Sequence, residues 1–248
     1  MATIHNDGMN TRRYALRPAV AFVVAVLVLV PILGCVVGCG DEPVDIDPQA
    51  VLQASSTRMK EIAGFHFVYE VHKPAGTQPS KGLDINRITG DINAPGDMAA
   101  TIDAIWGGTP VAVGFVSVDG VHYIQDPLSL KWQSMPASDS PVGRLSLSAG
   151  TIRILGNIID ATCEGTEKKG GTKTYHISGL VEAVEVEAIA GAVNTTEPFP
   201  TDIWVGVEDS LVYEVDIIGP ATPNETEGFW RSIILSDLDK HVDIKAPQ

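Results

Sequence analysis

Eight residues, FHFVYEVH (65–72), alternate almost without a break. Phe65, Phe67, Tyr69 and Val71 fall on one side of an extended chain, and His66, Glu70 and His72 fall on the other. A period of two marks a strand with one dry face and one wet face. That pattern belongs to antiparallel sheets, because strands of parallel sheets are buried on both faces and read as continuous apolar runs. The habit returns in LDINRITGDI (83–92), MAATIDAIW (98–106), VAVGFVSVDGVHYIQ (111–125) and KWQSM (131–135), with a hairpin turn at Asp119-Gly120. It resumes in DATCEGTEKKGGTKTYHISGL (160–180), turning at Lys168 to Gly171, and in TDIWVGVEDSLVYEVDIIG (201–219), turning at Glu208 to Ser210. FWRSIILSDLDKHVDIKAP (229–247) adds one or two more strands. So many half-buried strands make a large antiparallel sheet, and its dry face needs a cover.

Three segments can supply that cover. Asp47 and Pro48 form an N-cap and first-turn pair, opening a helix that runs to about Ala63 and stops at Gly64. Its expected buried face is Val51, Ala54, Met59 and Ile62. AGTIRILGNIID (149–160) spaces Ile152, Leu155 and Ile159 as a helix would. VEAVEVEAIAGAV (181–193) alternates evenly enough for a strand, but its alanines and glutamates favour a helix. The fold class is therefore α+β. No segment repeats at a period of 20 to 50 residues, so repeat architectures are set aside.

The N-terminal stretch is different in kind. Arg12, Arg13 and Arg17 precede the uncharged apolar run Ala19–Leu33, whose 15 residues fall short of the about 20 that span a bilayer. This is the layout of a signal peptide. PILGCVVGCG (31–40) then sets Cys35 and Cys39 four apart. Zinc and redox sites favour C-x-x-C and need further ligands, and no Cys or His follows nearby. The residues resemble a lipobox instead. VVGC fits with Cys39 as the lipidated residue; ILGC, ending at Cys35, is the alternative, with the larger Leu33 at the second place upstream. The expected organisation is a lipoprotein signal peptide over 1–38, a lipidated N-terminus and acidic tether over 39–47, and a single domain over 48–248. Cys39 would carry a thioether-linked diacylglycerol and an amide-linked chain. That is enough for stable anchoring on the extracytoplasmic face of the cell membrane, since one chain alone binds marginally.

Charge and motifs narrow the function. The leader takes three arginines and one aspartate with it, leaving 14 basic against 30 acidic side chains, a net charge of −16. Such a surface repels nucleic-acid phosphates. Asp41, Glu42, Asp45 and Asp47 lack the glycine turn and distal glutamate of a calcium loop, so they read as a solvated tether. Cys163 has no partner for an internal disulfide and reads as a small apolar residue. The chain contains no nucleophile elbow, S-x-x-K, H-E-x-x-H, phosphate loop or dinucleotide fingerprint. His66, His72, His122, His176 and His241 have no linked nucleophile in sequence, and Glu185 and Glu187 lie on a solvated face. No enzyme activity, cofactor or metal is expected. Trp106, Trp132, Trp204 and Trp230 leave open a surface module for a protein or polysaccharide partner, built on a filled core.

The order of elements, the hairpin DIWVGVEDSLVYEVDI, the ending SDLDKHVDIKAP and the stretch GVHYIQDPLSLKWQSM resemble the LppX/LprAFG lipoproteins of mycobacteria over most of residues 48–248. The family is similar in turn to LolA/LolB-like lipoprotein carriers. The resemblance implies an antiparallel β half-barrel, a curved sheet wrapped over helices, with an apolar cavity between sheet and helices. It also implies a membrane-anchored protein that holds the acyl chains of a lipid or glycolipid and carries them toward the cell surface, with an export transporter as a possible partner. Under that reading the cavity is lined by Phe65, Phe67 and Tyr69; by Ile102, Val111, Val113 and Phe115; by Ile152, Leu155 and Ile159; and by Trp204. Composition alone favours a filled core for the same residues, because an empty apolar space is unfavourable at about 24 cal/mol per Å³.

Overall fold

Asp47 caps the first helix as its position requires: the carboxylate accepts hydrogen bonds from the backbone N–H groups of Gln49 at 3.0 Å and Ala50 at 3.3 Å. The computed structural model describes residues 45–79, 82–93, 96–140, 147–191 and 193–248. The expected signal segment, Cys35 and Cys39 lie outside the described residues. Helix α1 (Pro48–Met59) ends four residues before the expected Ala63. Two hydrogen bonds tighten its end, Lys60 N–H to the Thr57 carbonyl and Glu61 N–H to the Arg58 carbonyl. The Ala63 N–H then leaves the helix for the Asp239 carboxylate, at 2.9 Å. Its buried face is Leu52, Ser55, Ser56 and Met59, while Ala54, expected inside, is exposed.

Among the described residues eleven strands form one sheet: β1 (Gly64–His72), β2 (Leu83–Asn93), β3 (Asp97–Trp106), β4 (Thr109–Val118), β5 (Val121–Gln125), β6 (Trp132–Pro136), β7 (Ile158–Lys169), β8 (Thr172–Val181), β9 (Phe199–Gly206), β10 (Val212–Ile218) and β11 (Trp230–Ser236). Every pairing is antiparallel. The spatial order, β6-β5-β4-β3-β2-β1-β11-β10-β9-β8-β7, shows two meanders zipped together where β1 meets β11. The sheet is open and curved, with three helices on its dry face, so the class is α+β. The chain leaves the sheet at the edge strand β6 and re-enters at the opposite edge, β7. Helix α2 (Leu147–Gly156) lies within that crossing, and α3 (Ala183–Ala190) connects β8 to β9.

The hydrophobic spacing that suggested a helix through Asp160 crosses an element boundary. The helix closes at Gly156, where the Asn157 side chain donates to the Arg153 carbonyl at 2.8 Å, and Ile158 and Ile159 begin β7 opposite Val181 and Leu180. Helices α2 and α3 meet closely because position 150 is glycine; a Cβ there would come within 2.8 Å of Ile189 Cγ1. The last twelve residues form no second strand. Instead the buried Asn93 holds them, accepting from Val242 N–H at 2.9 Å and donating back to the Val242 carbonyl. Among the described residues no helix is long and apolar enough to cross a membrane.

Candidate functional site

Strand register lines up one apolar row across the dry face. It reads Ile177, Ile203, Val215, Ile233, Tyr69, Ile88, Ile102 and Val113, one residue from each strand from β8 to β4. Alternation puts each of these on the same side of the sheet. What lies over the row changes along it. Toward β7 and β9 the helices supply Leu52, Ile154, Leu155, Val186 and Ile189, all essentially inaccessible to solvent, and the space is filled. Toward β6, among the described residues, no helix side chain takes part. There an apolar groove of about 260 Å³ is lined by Leu83, Trp106, Val111, Val113, Ile124, Pro127 and Met135, with Gln125, Asp126 and Gln133 beside them.

Two smaller spaces flank the groove. One, of about 50 Å³, lies under Leu147 of α2 and is bounded by Ile92, Met98, Phe115 and His122. His122 is buried, packs edge-on to Phe115 with ring centroids 4.9 Å apart, and its burial pushes the imidazole pKa down. The other space, of about 170 Å³, shares Leu83 with the groove and mixes apolar side chains such as Val71, Ile85 and Phe229 with polar ones. Tyr69, Lys73, Asp84, Glu225 and Arg231 face it. Burial pushes the Tyr69 hydroxyl pKa up. Burial would do the same to Glu225, but the hydrogen bond and positive charge of Arg231 outweigh it and hold the carboxyl below its usual range.

The expected lining residues separate into groups. Val111 and Val113 line the groove, Phe115 lines the small cavity and Tyr69 the mixed one. Phe65, Phe67, Ile102 and Leu155 are buried within the packed core, and Ile152 lies half-buried against it. Two expectations are corrected. Ile159 sits on β7 and is 43% exposed, because the helix that would have aimed it inward has already ended. Trp204 is buried on the opposite face of the sheet: its ring stacks on His176 with centroids 4.6 Å apart, lies under Lys169 Nζ at 3.7 Å, and donates from Nε1 to Glu167 at 3.1 Å.

Sequence reasoning missed Leu83, Trp106, Ile124 and Met135 as groove residues, and Arg231 as a pocket residue. Ile124 pairs with Phe115, so its face could have been read from the hairpin at Asp119-Gly120. Arg231 carried a plainer signal, a lone cation inside the apolar strand WRSIILS. The free Cys163, half-buried, pairs in register with Ile177. No group of three or more His, Cys, Asp or Glu side chains that could hold a metal occurs among the described residues.

Comparison with known proteins agrees with this architecture. The family model of the LppX_LprAFG lipoproteins matches residues 47–244. The lipoarabinomannan carrier protein LprG of Mycolicibacterium smegmatis is 29% identical over 247 residues, covering 96% of this chain and 99% of the relative. LprG of Mycobacterium tuberculosis is 29% identical over 202 residues, covering 78% of this chain and 81% of the relative. Among solved structures, LprF of Mycobacterium bovis superposes with a TM-score of 0.62 at 20% identity, covering 84% of this chain and 99% of that one. LppX of Mycobacterium tuberculosis gives 0.55 at 15% identity, covering 79% and 97%. At those identities the two structures speak to the fold alone.

Proposed function

From the premise that the chain belongs to the LppX_LprAFG lipoprotein family, we propose that it is a membrane-anchored carrier that binds acyl chains of a lipid or glycolipid along the inner face of β2–β6. The observation that carries this reading is the apolar groove, a dry surface over which no helix lies among the described residues. Each methylene transferred from water to such a surface contributes about 0.8 kcal/mol. The curated relatives named as lipoarabinomannan carriers point to the same class of cargo.

The groove's 260 Å³ lies just below the about 300–1,000 Å³ of ordinary ligand sites. Loading a lipid with two chains therefore requires it to widen. The edge strand β6 is the element to give way, since it is held by pairing to β5 alone, and Leu147 at the start of α2 marks the neighbouring boundary. Phe115, Ile102 and Phe67 would then pass from core to lining. Cys39, carrying the thioether-linked diacylglycerol, anchors the domain at the extracytoplasmic face, with Cys35 as the alternative attachment. The short acidic tether keeps the groove at high effective concentration next to the bilayer. A chain can thus move from membrane to protein without crossing water. An export transporter and the cell surface are the natural donor and destination for such cargo. The role is binding and transfer, with no chemical step assigned to the protein.

The test is native mass spectrometry of the full chain purified from membranes, followed by organic extraction. A carrier retains stoichiometric lipid. Protein that is lipid-free apart from its own anchor contradicts the reading.

A further inference from the structure

The turn between β5 and β6 holds its leucines out in water although an apolar groove lies beside it. Leu128 is 80% exposed and Leu130 65%, and Trp106, at the end of β3 that borders the same groove, is 49% exposed. A single exposed leucine needs no explanation, but three large apolar side chains at one end of a groove do. The turn is firmly built. Leu130 N–H donates to the Asp126 carbonyl at 2.9 Å, Asp126 N–H to the Lys131 carbonyl at 2.9 Å, and Gln125 Nε2 to the Leu130 carbonyl at 3.1 Å. Asp126 Oδ1 accepts from Leu128 N–H at 3.1 Å, from Ser129 N–H at 2.7 Å and from Ser129 Oγ at 2.8 Å. Leu130 sits at φ +57°, a left-handed backbone that suits Gly or Asn and strains a leucine. A turn that only connected two strands would place a polar residue there.

Charge is distributed just as unevenly along these strands. The sequence over 104–112, around the β3–β4 turn, and over 127–135, around the β5–β6 turn, contains no Asp or Glu and one cation, Lys131, in a chain with 31 acidic residues. The opposite ends of the same strands carry Asp97, Asp119 and Asp139. Of the carboxylates nearest the apolar end, Asp126 turns Oδ1 into its own turn, and Asp84 pairs with Lys73 at 2.8 Å. Asp103 lies on the outer face, since the buried Ile102 and Ala104 flank it in the strand. Exposed leucines with a tryptophan and a lysine suit the boundary of a bilayer, where apolar side chains enter the acyl region and Trp and Lys stay at headgroup level. The apolar lining of the groove runs up to this turn through Pro127 and Trp106, so a lipid can pass from one to the other.

Building on the carrier reading, we infer that the end of the sheet formed by the β3–β4 and β5–β6 turns docks on the lipid bilayer, with Leu128 and Leu130 entering the acyl boundary and Trp106 and Lys131 at the level of the headgroups. The mouth of the groove then opens onto the membrane. The acidic end of the same strands faces away from it.

The test uses the full chain, purified from membranes and reconstituted into vesicles of phosphatidylcholine and phosphatidylglycerol with brominated acyl chains. Bromine quenches a tryptophan only at close range. Leu128→Trp places a reporter on the turn, and Val121→Trp places one at the other end of β5, at a position that is also exposed. The fluorescence that each variant adds to the parent is compared with the same protein in unbrominated vesicles. Quenching at 128 is severalfold stronger than at 121. Adding Leu130→Asn to Leu128→Trp lowers that quenching while the melting temperature holds or rises, because Asn accepts the left-handed backbone more easily than leucine does. Equal quenching at both positions, or none at 128, overturns the docking end. A blue-shifted emission at 128 that depends on protein concentration and not on bromine assigns the leucines to a second copy of the chain and overturns it too. Lipid recovered from the same preparations reports on the carrier separately. Lipid present without quenching at 128 overturns the docking end alone, and quenching at 128 with a lipid-free parent supports the docking end and overturns the carrier.

Discussion

The two halves of the dry face are built from the same kind of residue and end differently. On β8 to β11, Ile177, Ile203, Val215 and Ile233 are shut in by Leu52, Ile154, Val186 and Ile189 of the three helices. On β3 to β6, Val111, Ile124 and Met135 lie in the same sheet and on the same face, but border open space. Alternation in a strand determines only which side is dry. Whether that side becomes core or cavity depends on cover, and the helices cluster over β7 and β9 because α1, α2 and α3 pack on one another, as at Gly150 and Ile189. A binding surface in this fold is a stretch of sheet that the helices do not reach.

The sharpest break of that comparison is a pair of truncations. Ile203→Ala removes volume from the filled half and costs about 2–5 kcal/mol, whereas Ile124→Ala at the groove costs under about 1 kcal/mol. Urea unfolding of both variants reads the difference; equal losses would mean the halves are packed alike. Next, Gly150→Leu forces a side chain between α2 and α3 and lowers stability by about 1–3 kcal/mol, the usual range for overpacking. Thermal melts that leave Gly150→Leu unchanged would show that the helices do not meet closely.

A smaller effect comes from the outer face of the filled half. Burial pushes the Asp216 carboxyl up to about 6, with Ser232 opposing and Glu214 adding to the rise. A carboxyl whose pKa is raised by folding is stabilising while protonated. Its contribution is complete below about 4 and is lost as pH rises through about 6. Asp216→Asn should flatten the stability profile between those values and raise stability at pH 7 by about 1 kcal/mol after allowance for solvent screening. A melting profile that keeps its slope in the variant would place the titration elsewhere.

Much of this was legible before the structure. FHFVYEVH gave its buried face correctly, Asp119-Gly120 gave its turn, and Asp47-Pro48 gave the first cap. What failed did so for local reasons. In DIWVG three successive residues, Ile203, Trp204 and Val205, are all buried, because Lys169 and His176 cover the outer face there, so alternation could not say which way Trp204 points. Ile158 and Ile159 posed the same problem at a helix end. Ser55 and Ser56 gave no apolar signal at all, yet they are buried on α1. The pairing of β1 with β11 joins residues such as Tyr69 and Ile233 across most of the chain. No local pattern encodes a contact of that separation.

The most direct test of the comparison between a filled and an open half is Val113→Trp. Val113 lines the groove, so a larger side chain has space to enter it. The variant should melt within a few degrees of the parent, a change of under about 1 kcal/mol, while the lipid recovered with the purified full chain falls severalfold. A collapse in stability together with no lipid in the parent protein would contradict the account and return β3 to β6 to ordinary core.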